Sequence, residues 1–206
     1  IKNTKLLKRS KLEKILGIKF LKKNIIINFH PETLNPNQAK KQINEILGAL
    51  DSFKDINKIF TMPGADLENS FILKKIKSYV FKNKNSFIFK SLGQEVYLSL
   101  LNQIDFMLGN SSSGILEMPY FKKVTINLGE RQTGRIKSKS IIETRIEKNE
   151  IVRKIHNFYN GKYKINIKRS RNLFGKGNSS NKIIKILKKK KIKNLIKKKR
   201  FIDLKI

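Results

Sequence analysis

The chain has 206 residues with 47 Lys and Arg against 15 Asp and Glu, a formal net charge of +32, and so basic a balance points first to a polyanionic partner, nucleic acid or an acidic membrane surface. An apolar share of 39% with 13 Phe is enough for a core and excludes wholesale disorder, and the length fits one domain with an appendage or a piece of something larger. Zero Cys removes disulfides, thiolate zinc sites and Cys nucleophiles, and 2 His leave little for a His-based metal site. No apolar run approaches the roughly 20 residues of a membrane span. A leader peptide is not judged from a chain that begins at Ile1.

Residues 1–23 read as a helical linker arriving from elsewhere, with Leu12, Ile15 and Leu16 on one apolar face. NIIINF (24–29) reads as a buried strand and 37–50 as an amphipathic helix. KIFTM (58–62) is a second strand, stopped by Pro63-Gly64, and 67–81 places Phe71, Ile72, Ile76 and Val80 at helical spacing. A strand at 86–90, a helix at 94–103, a strand at 105–109, a helix at 113–120 and a strand at 124–128 follow. A short strand near 140–144, a helix at 148–160 and a Lys-rich helix from about 181 close the series. Strands without apolar alternation, separated by helices and short connections, predict a doubly wound α/β domain whose parallel sheet is covered on both faces. The expected organisation is a linker at 1–23, a Rossmann-like domain at 24–181 and a Lys-rich helical tail at 182–206, with 188–200 a frayed, low-complexity run.

The charge is unevenly spread. Residues 1–23 carry a net +8, residues 24–150 only +5, and residues 151–206 +19. Of the 47 basic residues, 39 are Lys, interleaved with Ile and Asn, a pattern that A/T-rich codons produce without selection for a polyanion. Nucleic-acid binders favour Arg for bidentate phosphate contacts and interleave aromatics as stacking platforms. Only 8 Arg are present and the basic runs lack aromatics.

The most informative stretch is GNSSSGILE (109–117), which follows a strand and opens a helix, the place where open α/β sheets bind ligands. Small residues allow close backbone approach, free N–H groups suit a phosphate, and Ser111, Ser112 and Ser113 add hydroxyl donors. Glu117 is suited to accept two hydrogen bonds from vicinal hydroxyls such as a ribose diol. Together these read as a nucleotide diphosphate site; an N-cap serine with a dipole-compensating glutamate explains the local pattern equally well. LGERQTGR (128–135) follows the next strand and brings Arg131 and Arg135 to the same edge, where Arg131 can neutralise a diphosphate. His30 ends the first strand and falls on that edge too, able to donate to a phosphate or assist a leaving group.

GNSSSGILEMP followed by INLGERQTGR resembles the hydrolysing UDP-N-acetylglucosamine 2-epimerases, enzymes that begin sialic-acid and legionaminic-acid precursor synthesis. NFHPET (28–33), FTMPGAD (60–66), FKSLGQEVYLSLL (89–101) and FGKGNSSNKI (174–183) extend the resemblance over about residues 10–187. It implies the C-terminal, nucleotide-holding half of a GT-B fold, with residues 1–23 as the link from a first Rossmann domain. It also implies that Ser111, Ser112, Ser113 and Gly114 hold the diphosphate, Glu117 the ribose hydroxyls, and Arg131 and His30 the phosphates, with a catalytic role for the last two. Lys90 to Gly93, with Ser91 and Leu92, would meet the uracil through backbone. Asp66 matches the family, whereas Gly64 stands where members commonly have Asn.

The implied reaction inverts C2 of a UDP-N-acetyl sugar and releases UDP, without metal or organic cofactor. The general acid/base carboxylates lie in the other domain, so the chain alone is expected to bind UDP weakly and turn nothing over. A homo-oligomeric, cytoplasmic enzyme acting on a UDP-sugar, with no specific nucleic acid and no membrane partner, completes the expectation. Two rivals stand beside it: the nucleotide-binding domain of a GT-B glycosyltransferase, and a basic nucleic-acid-binding protein.

Overall fold

The computed structural model describes residues 1–31, 38–62, 69–175 and 177–189. It divides into two compact units, Ile1–Phe174 and a second that begins at Gly175. In the first unit the order is α1 (Arg9–Leu16), β1 (Lys23–Asn28), α2 (Ala39–Leu50), β2 (Ile56–Thr61), α3 (Asn69–Lys82) and β3 (Ser86–Phe89). Then come α4 (Gly93–Gln103), β4 (Phe106–Gly109), α5 (Ser113–Leu116), β5 (Val124–Leu128), β6 (Ile141–Thr144), α6 (Lys148–Tyr159) and α7 (Lys164–Lys168). The six strands form one parallel sheet in the order β3-β2-β1-β4-β5-β6. This is the doubly wound α/β sheet that the alternation of elements predicts.

Strands without polar alternation are explained by cover on both faces. On one face Ile25, Ile27, Phe106, Leu108 and Ile126 join side chains of α2, α3 and α6 in one buried cluster. On the other, Ile26, Ile59 and Met107 join Leu98, Leu100 and Leu101 of α4. Leu12 and Leu16 of α1, with Leu7, Ile18 and Phe20, bury into that second cluster, so residues 1–23 form part of the core. Ile15, expected on the apolar face of this segment, is instead 51% exposed.

Three elements depart from the pattern-based reading. β2 starts two residues early, at Ile56, because Asn57, polar in sequence, is buried and paired: its Nδ2 donates to Lys19 O (2.8 Å) and to Asn24 Oδ1 (3.0 Å). The helix expected over 113–120 stops at Leu116. Pro119 has no N–H, and in a continued helix its ring would crowd the Ile115 carbonyl, so the chain goes on in turns, with Tyr120 N bonded to Glu117 O at 3.0 Å. The short α7 lies in a stretch for which no element was expected.

In the second unit, α8 (Ser179–Lys189) is the helix expected from about residue 181. Its Ile183, Ile184, Ile186 and Leu187 are exposed. The rest of the Lys-rich run lies outside the described residues. Among the described residues no helix is long and apolar enough to cross a membrane.

Candidate functional site

Strand order reverses between β1 and β4, and a doubly wound sheet opens a crevice at such a switch, beyond the strand C-termini. Asn28 and Gly109 pair there at the ends of the two strands. Gly109 has φ +152°, and a Cβ on it would lie 2.0 Å from Asn28 O, so only glycine fits between the strands.

Asn110, fully buried, comes next. Its N–H donates to Asn28 O (3.0 Å), its Oδ1 accepts from His30 N (2.8 Å), and its Nδ2 donates to His30 O (2.8 Å). Its own carbonyl accepts from Arg131 NH1 (3.0 Å) and from Gln132 Nε2 (2.7 Å). One asparagine therefore ties the end of β1, the start of the serine loop and the loop after β5 together. The backbone of His30, the guanidinium of Arg131 and the serine loop, which sequence reasoning selected separately, meet around it. Arg135 of the same loop is exposed.

The serine loop is braced from below. A Cβ on Gly114 would meet Thr125 Cγ2 at 2.6 Å and Met107 Sδ at 3.2 Å, so the turn of α5 sits directly on the sheet. Thr125 Oγ1 donates to Gly114 O at 2.8 Å. Ser111, Ser112 and Ser113 are half-buried, and Ser111 Oγ accepts from Ser113 N at 3.3 Å. One turn on, Glu117 is half-buried and its Oε2 is buried without a hydrogen-bond partner in the protein, as is Oε1 of Gln132. A buried carboxylate oxygen left unpaired is costly unless a ligand donor meets it.

Ser91 and Leu92 do not join this cluster directly. They line a neighbouring cavity of about 310 Å³ with Thr61, Gly93, Gln94 and Tyr97, at the lower end of ligand-sized pockets. Tyr97 connects the two places, because its hydroxyl lies 2.6 Å from Ser113 Oγ. Burial pushes the Tyr97 phenol up to about 12, so it stays neutral through the physiological range. Asp66 lies outside the described residues.

Sequence reasoning missed Asn110, Gln132, Asn28 and Tyr97. The signal for two of them was present: Asn28 and Asn110 are amides at the ends of strands that are otherwise apolar. Chemically the assembly offers hydroxyl, amide and guanidinium donors to an anion, and an unpaired carboxylate oxygen to a ligand donor, beside a small pocket.

A Campylobacter jejuni protein, "GDP/UDP-N,N'-diacetylbacillosamine 2-epimerase (hydrolyzing)", is 39% identical over 206 residues, 99% of this chain and 53% of the relative. The Escherichia coli "Polysialic acid biosynthesis protein P7" is 35% identical over 82% of this chain and 43% of its own length. The chain thus spans about half the length of the curated relatives it matches. Among solved structures, the Methanocaldococcus jannaschii UDP-GlcNAc 2-epimerase in complex with UDP-GlcNAc and UDP superposes with a TM-score of 0.66 at 17% identity, over 89% of this chain and 49% of that one. The family model described as UDP-N-acetylglucosamine 2-epimerase matches residues 2–188, a span that contains every element of the site, and the chain belongs to that family.

Proposed function

We propose that this chain holds UDP in a hydrolysing UDP-N-acetyl sugar 2-epimerase, facing a first Rossmann domain across a cleft. The observation that carries the reading is Asn110, which gathers His30, Arg131 and Gln132 around the serine loop at the switch point. In this reading Ser111, Ser112, Ser113 and Arg131 bind the diphosphate, Glu117 accepts from the ribose diol, and Ser91 and Leu92 border the uracil. The Campylobacter jejuni relative favours a diacetylated bacillosamine as the sugar.

The chemistry begins with a base, supplied by the facing domain, that takes the C2 proton. The C2–H electron pair becomes a C1=C2 double bond as the C1–O bond breaks and UDP departs. Water then delivers OH to C1 and a proton returns to the opposite face of C2. The C2 proton is not acidic, so most of the barrier is lowered by stabilising the departing diphosphate, the task assigned to Arg131 and His30. A protein of this kind works in the cytoplasm on a UDP-sugar. The 206-residue chain by itself binds UDP and turns nothing over, because the proton-transferring carboxylates belong to the facing domain.

Incubation of the protein joined to its first domain with UDP-N-acetylglucosamine and UDP-diacetylbacillosamine in D2O tests this. The expected products are free 2-epimerised sugar, deuterated at C2, and UDP, with no acceptor present. Strict dependence on an acceptor would overturn the reading in favour of a glycosyltransferase.

A further inference from the structure

A chain of polar side chains runs beneath the serine loop. Thr61 Oγ1, at the end of β2, donates to Asn28 Oδ1. Asn28 Nδ2, at the end of β1, donates to Tyr97 Oη at 2.9 Å. Tyr97 Oη on α4 and Ser113 Oγ on α5 lie 2.6 Å apart. A phenol has one proton to give. With its oxygen accepting from Asn28, the arrangement that also gives that proton an acceptor sends it to Ser113 Oγ, and the Ser113 hydroxyl then accepts from below and keeps its own proton for an acceptor above.

We propose that Tyr97 is a positioning residue: through this directional chain it sets the Ser113 hydroxyl as a donor toward the diphosphate, and its ring closes one wall of the base pocket. The same side chain lines the cavity shared by Thr61, Ser91, Leu92, Gly93 and Gln94, so base and phosphate subsites meet on one residue. Burial keeps the phenol protonated, which the donor role requires. Hydrogen bonds in series polarise one another, and each strengthens the next. The inference rests on the UDP reading above.

The test is a double-mutant cycle in which UDP and uridine binding are measured by calorimetry on the protein and on Tyr97→Phe, Ser113→Ala and the double variant. Phe keeps the ring and removes only the relay. Tyr97→Phe is expected to weaken UDP about three- to tenfold, the worth of one neutral hydrogen bond in the chain, and to leave uridine within about twofold. The double variant is expected to match Ser113→Ala alone, because Tyr97 acts through Ser113. Equal losses for UDP and uridine, additive losses in the double variant, or unchanged UDP affinity in Tyr97→Phe would each overturn the relay. A protein that binds no UDP at all instead sinks the reading on which it rests. Melting temperatures of all four proteins, read in parallel, identify a variant that has unfolded. In that case Ser113→Thr, which keeps the hydroxyl, must retain the Tyr97 dependence.

Discussion

The side-chain amide of Asn110 and the backbone of His30 clasp each other through two hydrogen bonds, both 2.8 Å long, across 80 residues of chain. The ring they form closes the switch point of the sheet, and the Asn110 carbonyl on its far side receives Arg131 and Gln132.

Replacement of Asn110 by Asp tests how much the site depends on this clasp. The carboxylate still accepts from His30 N but now turns an oxygen toward His30 O, where a donor stood. Losing one buried bond and opposing two acceptors is expected to lower stability by about 2–3 kcal/mol and to weaken UDP by at least about tenfold. Urea denaturation and calorimetry report the two effects. A variant with native stability and native affinity would show that the clasp is incidental.

Gly114 offers a test of the floor beneath the serine loop. Gly114→Ala drives a Cβ to 2.6 Å from Thr125 Cγ2, and overpacking of this kind costs about 1–3 kcal/mol. Thr125→Ser removes Cγ2 and keeps the Oγ1 bond to Gly114 O. In the Thr125→Ser background, Gly114→Ala should therefore recover much of its loss, in both melting temperature and UDP affinity. Additive losses would place the strain elsewhere.

Much of the sheet is legible from runs such as IIIN and FMLG, since apolar residues at successive positions demand cover on both faces. Asn57 hid the start of β2, because its burial is decided by a carbonyl at Lys19 that only the folded chain brings within reach. The serine loop and Arg131 are visible as a motif. What joins them is not, since Asn110 acts on residues 80 and 21 positions away. Tyr97, likewise, is an ordinary helical aromatic until α4 lies against α5 and its hydroxyl finds Ser113. Local pattern reveals the groups that face a ligand, and long-range contact decides which groups hold them in place.

Lys123 gives the fold a pH signature. Its Nζ donates to Asn102 O (2.6 Å) and Ile104 O at the opposite edge of the sheet, and burial pulls its pKa down to about 8 from 10.5 against the opposing pull of Asp105. Below about pH 8 the lysine is charged both folded and unfolded, and its desolvation cost is constant. Between that pKa and 10.5 the unfolded chain binds more protons at this site, so its contribution makes stability rise with pH. Lys123→Met removes the contribution. The stability difference, parent minus variant, should therefore grow in favour of the parent from pH 7.5 to 10.5 in urea titrations, and parallel profiles would contradict the burial of this ammonium.

Glu117 separates a ribose-binding carboxylate from a helix-capping one. Its Oε2 is buried without a hydrogen-bond partner in the protein, so a capping role would leave this oxygen's desolvation uncompensated whether or not nucleotide is present. A diol donor would compensate it only in the complex. The parent protein is therefore expected to prefer UDP over 2′-deoxy-UDP by about tenfold, the worth of a hydrogen bond to a charged acceptor. Glu117→Gln removes the charge and presents an amide donor in place of one acceptor, and at Oε2 the folded protein supplies no hydrogen-bond partner to lose. Its stability should stay within about 0.5 kcal/mol of the parent, since no intramolecular bond to Oε2 is broken. Its UDP affinity should fall to that of the deoxy nucleotide, whose own affinity should change little, so that the preference collapses toward unity. Calorimetric titration of both nucleotides into both proteins decides the matter. A preference for UDP that survives the substitution would move the ribose away from Glu117, and a large loss of stability without loss of preference would make Glu117 a cap.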